Sequence, residues 1–81
     1  MIIRVHFYSY FKELTGCTAH EVELAEGSSI SELLNRLIAQ FPKLGAMQNS
    51  TLIAVGVEYQ GRSYVLKLGD EVSLFPPVQG G

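Results

Sequence analysis

The apolar residues of this chain follow two different periods. From residue 2 to residue 8 they alternate, with Ile3, Val5 and Phe7 on one side and Arg4, His6 and Tyr8 on the other. That is the pattern of a strand with one buried face. Residues 20 to 24 repeat it, with Val22 and Leu24 inward and Glu21 and Glu23 outward. If the two strands pair, Arg4 and His6 face glutamates across the exposed side. Such contacts are worth about 0.2–1 kcal/mol and help register more than stability.

The period then lengthens. Ile30, Leu33, Leu34, Leu37, Ile38 and Phe41 form one apolar stripe at helical spacing. Ser29 and Glu32 make a Ser-x-x-Glu capping box at its start. Pro42 ends it, because the residue before a proline is pushed out of helical geometry. Alternation returns from Leu52 to Tyr59 and predicts one strand, with Ile53, Val55, Val57 and Tyr59 on a common face. Gln60-Gly61-Arg62 reads as a turn, Ser63 to Leu66 as a short strand, and Leu68-Gly69-Asp70 as a second turn. The last strand is Glu71 to Phe75, with Val72 and Leu74 on one side and Glu71, Ser73 and Phe75 on the other. The order β-β-α-β-β-β predicts an α+β fold, in which a single helix covers one face of a small mixed sheet. Residues 1–81 read as one domain with an extended tail over 76–81, and no repeats interrupt it.

Composition narrows the function. Of 81 residues, 47% are apolar and 17% charged, so the chain is globular rather than disordered. The net charge of −2, with no Lys/Arg cluster, argues against nucleic acid as the main partner. No apolar run approaches the roughly 20 residues that span a bilayer, and no signal peptide opens the sequence, so no membrane partner is expected. The lone Cys17 excludes an internal disulfide and suits a reducing cytoplasm.

Candidate catalytic groups are sparse. His6 and His20 are expected to be exposed strand histidines, since no Cys or His stands at metal-ligand spacing from either. Cys17 follows Gly16 in a loop, with no cation or helix start to activate it. Glu21, Glu23, Glu26, Glu58, Asp70 and Glu71 fall on exposed faces and turns and read as solvated carboxylates. There is no phosphate-binding glycine loop and no nucleophile elbow. The chain is therefore expected to bind no cofactor or metal and to have no active site of its own.

The distinctive chemistry lies at the end, Phe75-Pro76-Pro77-Val78-Gln79-Gly80-Gly81. Two prolines stiffen the exit and cannot extend a sheet ladder. The glycines add nothing to a core, but a backbone without Cβ atoms fits a channel that excludes any other residue. Extended, residues 76–81 reach about 20 Å. A stiff stalk, a thin tip and the carboxylate of Gly81 suggest a tail that enters a partner's active site. A carboxylate becomes an electrophile once attack on the α-phosphorus of a nucleotide has made an acyl-adenylate; a sulfur nucleophile then takes the acyl group. The expectation is a carrier whose cargo rides on Gly81, with the nucleotide bound by a partner. If the first and last strands lie side by side, Phe75, on the polar side of the last strand, neighbours Arg4, His6 and Tyr8 and anchors a docking face.

The stretch Leu68 to Gly81 resembles the C-terminal signature of the molybdopterin synthase small-subunit family: Gly-Asp-Glu-Val, two or three apolar residues, Pro-Pro-Val, any residue, Gly-Gly. Phe11-Lys12-Glu13-Leu14-Thr15-Gly16 is similar to that family's basic-Glu-Leu-x-Gly segment, and the capped helix and Ala54-Val55 fall where the family has them. The resemblance implies a ubiquitin-like β-grasp. It implies that an adenylating enzyme activates Gly81 with ATP and that a sulfur donor system converts it to a thiocarboxylate. The tail, with Pro76, Pro77, Val78, Gln79 and Gly80 leading to Gly81, then docks in the large synthase subunit, two carriers per dimer, and supplies sulfur for the dithiolene of molybdopterin. One position departs. Gly56 stands where the family usually has Asn, whose side chain can brace a turn, so the backbone there is expected to differ. Other readings of the tail are a thiamine-pathway sulfur carrier, a ubiquitin-like modifier that joins Gly81 to lysines, and a plain interaction module.

Overall fold

The N-terminal strand has a partner on each side, and that placement organises everything else. In the structure, a computed structural model that describes residues 1–77, β1 (Ile2–Phe7) pairs antiparallel with β2 (Ala19–Glu23) and parallel with β5 (Glu71–Phe75). β3 (Leu52–Val55) pairs antiparallel with β5 and with β4 (Glu58–Tyr59), giving a sheet of order β2-β1-β5-β3-β4. The last strand of the chain thus lies in the middle of the sheet, and residues 76 and 77 leave from there.

Alternation decides which side chains go inside. Ile3, Val5, Val72 and Leu74 are at most 1% exposed and face α2 (Ile30–Gln40). From α2, Ile30, Leu33, Leu34 and Leu37 complete the layer. Fully burying each such side chain stabilises the fold by about 1.5–3 kcal/mol. The capping box is formed at both ends: Glu32 N–H donates to Ser29 Oγ at 3.3 Å, and Ser29 N–H donates to Glu32 Oε1 at 3.1 Å. The helix stops at Gln40, with Phe41 at φ −124° and ψ 81° ahead of Pro42.

Two helical pieces escaped the sequence pattern. α1 (Tyr10–Thr15) drives Phe11 fully into the core, and a 3-10 helix (Pro42–Met47) adds Leu44. The Lys12-Glu13-Leu14-Thr15-Gly16 segment is therefore α1 and its cap: Gly16 sits at φ 76° and its N–H donates to Lys12 O at 2.8 Å. A tight turn leads into α1. Phe11 N–H donates to Tyr8 O at 3.1 Å, and Ser9 takes φ 56° and ψ −130°, a conformation usually left to glycine.

The segment 52–59 is not one strand. It breaks at Gly56-Val57 into the hairpin β3–β4, closed by the Val55–Glu58 pair. Gly56 has φ 62° and is the first of the two loop residues, as a type II′ turn requires. The turn reverses the facing of β4. Val57, expected on the same face as Ile53 and Val55, is 100% exposed at the hairpin tip, and Tyr59 moves to the open face. Ser63 to Leu66 is not a strand either; it makes one bridge, Val65 to Ser29, while Leu66 enters the core. The turn at Leu68-Gly69 and the strand Glu71–Phe75 are as expected.

Both histidines are half-buried rather than exposed. His20 Nε2 lies 3.0 Å from Gln40 Oε1, and its ring meets Phe41 edge-on, so it ties β2 to the end of α2. Among the described residues, no helix is long and apolar enough to cross a membrane.

Candidate functional site

Among the described residues, the buried side chains of α1, α2 and the 3-10 helix, with Leu66, pack in one cluster with the inward residues of the sheet, which leaves its outer face open. The register assembles that open face row by row. Arg4 lies opposite Glu21 on β2 and Glu71 on β5; His6 lies opposite Ala19 and Ser73. Leu52 lies opposite Phe75, and Ala54 lies opposite both Ser73 and Tyr59. Tyr8 follows directly on β1 and donates its N–H to Leu74 O at 3.2 Å.

An aromatic cluster forms at the end where the chain leaves the sheet. The rings of Phe75 and Tyr8 are stacked, 4.8 Å apart and 12° between planes. Tyr59 meets Phe75 edge-on at 6.4 Å. Offset-stacked and edge-to-face pairs each add about 0.5–1.5 kcal/mol beyond area burial. Tyr59 is 70% exposed and Tyr8 43%, so the cluster is a half-wet platform, with Phe75 in its middle and Pro76 directly after it.

Polar groups surround the rings. Arg4 Nη2 donates to Glu21 Oε2 at 3.0 Å, as the pairing of β1 and β2 led us to expect. His6 differs: its carboxylate is on β5, not β2, with Nε2 2.7 Å from Glu71 Oε1. An open groove of about 610 Å³ runs from His6, Tyr8 and Ser73 past Glu71 to the hairpin turn at Gly56, Val57 and Glu58. At its far side, Tyr64 OH donates to Asp70 Oδ2 at 3.1 Å, and Lys67 N–H donates to the same oxygen at 2.9 Å.

The structure therefore brings together Arg4, His6, Tyr8 and Phe75, with Pro76 and Pro77 following. The two prolines are half-buried, so the stalk begins against the body rather than clear of it. Val78, Gln79, Gly80 and Gly81, the remaining candidates, lie outside the described residues. The sequence pattern missed Tyr59 and Leu52. Gly56 at the first position of a two-residue hairpin was the signal that places Tyr59. Among the described residues, no three His, Cys, Asp or Glu side chains converge to hold a metal ion. Cys17 is a half-buried free thiol beside the core.

A five-stranded mixed sheet wrapped on one helix, with an open face beside its C-terminal strand, is a ubiquitin-like β-grasp. The fold agrees with SAMP1 from Haloferax volcanii at a TM-score of 0.88, over 100% of both chains, though at only 20% identity. It agrees equally with the putative molybdopterin converting factor subunit 1 from Pyrococcus furiosus, at TM-score 0.87 and 28% identity over 96% of this chain and 99% of that one.

The chain belongs to the ThiS family, whose model matches residues 5–81. Among curated relatives, it is 34% identical to the molybdopterin synthase sulfur carrier subunit of Escherichia coli (strain K12), over 99% of this chain and 100% of that protein. It is 33% identical to the subunit of the same name in Chlamydomonas reinhardtii, over 100% of both.

Proposed function

We propose that this chain is the sulfur-carrying small subunit of a molybdopterin synthase. The Gly81 carboxylate attacks the α-phosphorus of ATP in an adenylating partner and displaces pyrophosphate. Sulfur at the oxidation level of sulfide, from a donor system, then displaces AMP and leaves a thiocarboxylate. The body docks on the large synthase subunit through the open face, Phe75 at its centre and Tyr8 and Tyr59 beside it. Pro76, Pro77, Val78 and Gln79 lead Gly80 and Gly81 into that subunit's pocket. There the sulfur bonds to a carbon of a cyclic pterin precursor, and water cleaves the resulting thioester to return the Gly81 carboxylate. Nucleotide and pterin sit in the partners, so this chain's own contribution is docking, reach and a terminus free of side chains.

The observation that carries the reading is the 34% identity to a molybdopterin synthase sulfur carrier subunit along that protein's whole length. The aromatic platform beside the departing chain supports it from the structure. An aromatic anchor ringed by polar groups is the usual make-up of an interface centre.

Mass spectrometry of the protein isolated from its native cells tests the proposal. A C-terminus in which sulfur replaces one oxygen is the expected species. An isopeptide branch from Gly81 to a lysine of another protein would identify a modifier instead. An acid that stays unmodified after incubation with the activating enzyme, ATP and sulfide would rule out the carrier chemistry.

A further inference from the structure

The docking face holds an ion-pair row whose charges do not balance. From β2 to β5 it reads Glu21, Arg4, then Glu71 with His6. Arg4 pairs with Glu21 at 3.0 Å, although Glu71 also stands opposite Arg4 in register. Glu71 turns instead to His6, 2.7 Å away. With neutral imidazole, the row carries two carboxylates and one guanidinium. With imidazolium it is neutral, and the His6–Glu71 contact becomes a charge-assisted hydrogen bond, roughly twice as strong as a neutral one.

In the free chain this matters little, because solvent screens the row: the side chains of Arg4, Glu21 and Glu71 are all more than half exposed. A partner seated on Phe75 changes that. Phe75 and Tyr8 border the row through Ser73 and His6, so a protein covering the rings also strips water from Glu71. A desolvated carboxylate is costly unless paired with a charge. Imidazole can supply that charge, and histidine is the side chain whose unperturbed titration falls between pH 5 and 8.

We infer that docking on this face is coupled to uptake of a proton by His6, so that the partner binds more tightly as pH falls. The inference rests on the docking role proposed above. The titratable and charged groups around His6 are Arg4 on β1, Tyr8 directly after it, Glu21 on β2 and Glu71 on β5, with Glu58, Tyr64 and Asp70 farther along the groove. None is a cation that would neutralise Glu71 in place of His6, since Arg4 is taken by Glu21. By linkage, a proton taken up on binding raises affinity on the acid side, and its loss weakens binding as pH rises.

The test is isothermal titration of the full chain with its cognate molybdopterin synthase large subunit at about pH 6 and about pH 8, in two buffers of different ionisation enthalpy. The expected result is about five- to tenfold tighter binding at the lower pH, the low end of ordinary site coupling, with proton uptake in the buffer comparison. His6→Gln is expected to lose most of that dependence. Glu71→Gln is expected to reverse its sign, because the remaining Arg4–Glu21 pair is already balanced and an added imidazolium is then the unpaired charge. Melting curves of both variants confirm that the fold survives. A wild-type affinity independent of pH overturns the inference while leaving the docking role intact. So does a His6→Gln variant with unchanged dependence. Absence of binding at either pH removes the docking role and this inference together.

Discussion

Tyr8 and Phe75 stack across the parallel pair β1 and β5, with ring centroids 4.8 Å apart. The contact joins the first strand of the chain to the last, at the point where residues 76 and 77 depart. It fixes Phe75 as an outward residue, since Val72 and Leu74 take the inner face at 0% and 1% exposure.

Phe75→Ala should therefore act on binding more than on folding. Loss of an interface anchor is expected to cost about 2 kcal/mol or more of affinity for the large subunit. Loss of the stacked pair should cost about 1 kcal/mol of stability. Titration calorimetry and melting curves on the same variant separate the two. A loss of stability as large as the loss of affinity would put Phe75 in the core.

Gly56 sets a second prediction. Its φ of 62° suits Gly or Asn and strains a β-branched residue, although no atom stands within 4 Å of an added Cβ. Gly56→Asn should lose up to about 1 kcal/mol, the strain of a non-glycine residue at the first position of this turn. Gly56→Val should lose about 1–2 kcal/mol and should also weaken docking, because the same turn places Tyr59 against Phe75. Equal stability of the two variants would show that the hairpin does not need this conformation.

Ser9 is the one described non-glycine residue with positive φ. Its side chain makes no capping bond to α1. Ser9→Gly should thus relieve strain and stabilise the fold by about 1 kcal/mol. Chemical denaturation measures it. A destabilised glycine variant would mean that Ser9 contributes more than strain.

Much of the fold was legible where one rule acted alone. The alternation of Ile3, Val5 and Phe7 and the helical stripe from Ile30 to Leu37 fixed β1 and α2, because each period is long enough to exclude the other. Helix α1 was hidden because six residues give too few turns for a period to show. The hairpin was hidden for a different reason: Val55, Val57 and Tyr59 continue the alternation of β3 straight through the turn, so the apolar pattern overrode the weaker signal of one glycine. The cost was a misplaced Tyr59, and with it half of the aromatic platform. Phe75 and Tyr8 were legible because strand alternation puts them opposite Leu74 and Phe7. The partner of His6 was not, since glutamates stand on both flanking strands and only the register sets Glu71 within reach of its ring.

The terminus yields a fourth prediction. Deleting Gly81, or adding a residue after it, should abolish adenylation while melting curves stay unchanged, because the chemistry requires the carboxylate at a fixed reach. Gly80→Ala should fold normally and react more slowly, its Cβ crowding the partner's channel. Pyrophosphate release in the presence of the activating enzyme and ATP reports both, and a Gly81 deletion that still releases pyrophosphate at the wild-type rate would contradict the assignment.

The central claim is the identity of the acceptor, and reconstitution tests it most directly. The thiocarboxylated chain is mixed with a molybdopterin synthase large subunit and the cyclic pterin precursor, and in parallel with thiazole synthase and its substrates. Molybdopterin should form in the first mixture and no thiazole in the second. Thiazole without molybdopterin, or neither product from a confirmed thiocarboxylate, would contradict the account.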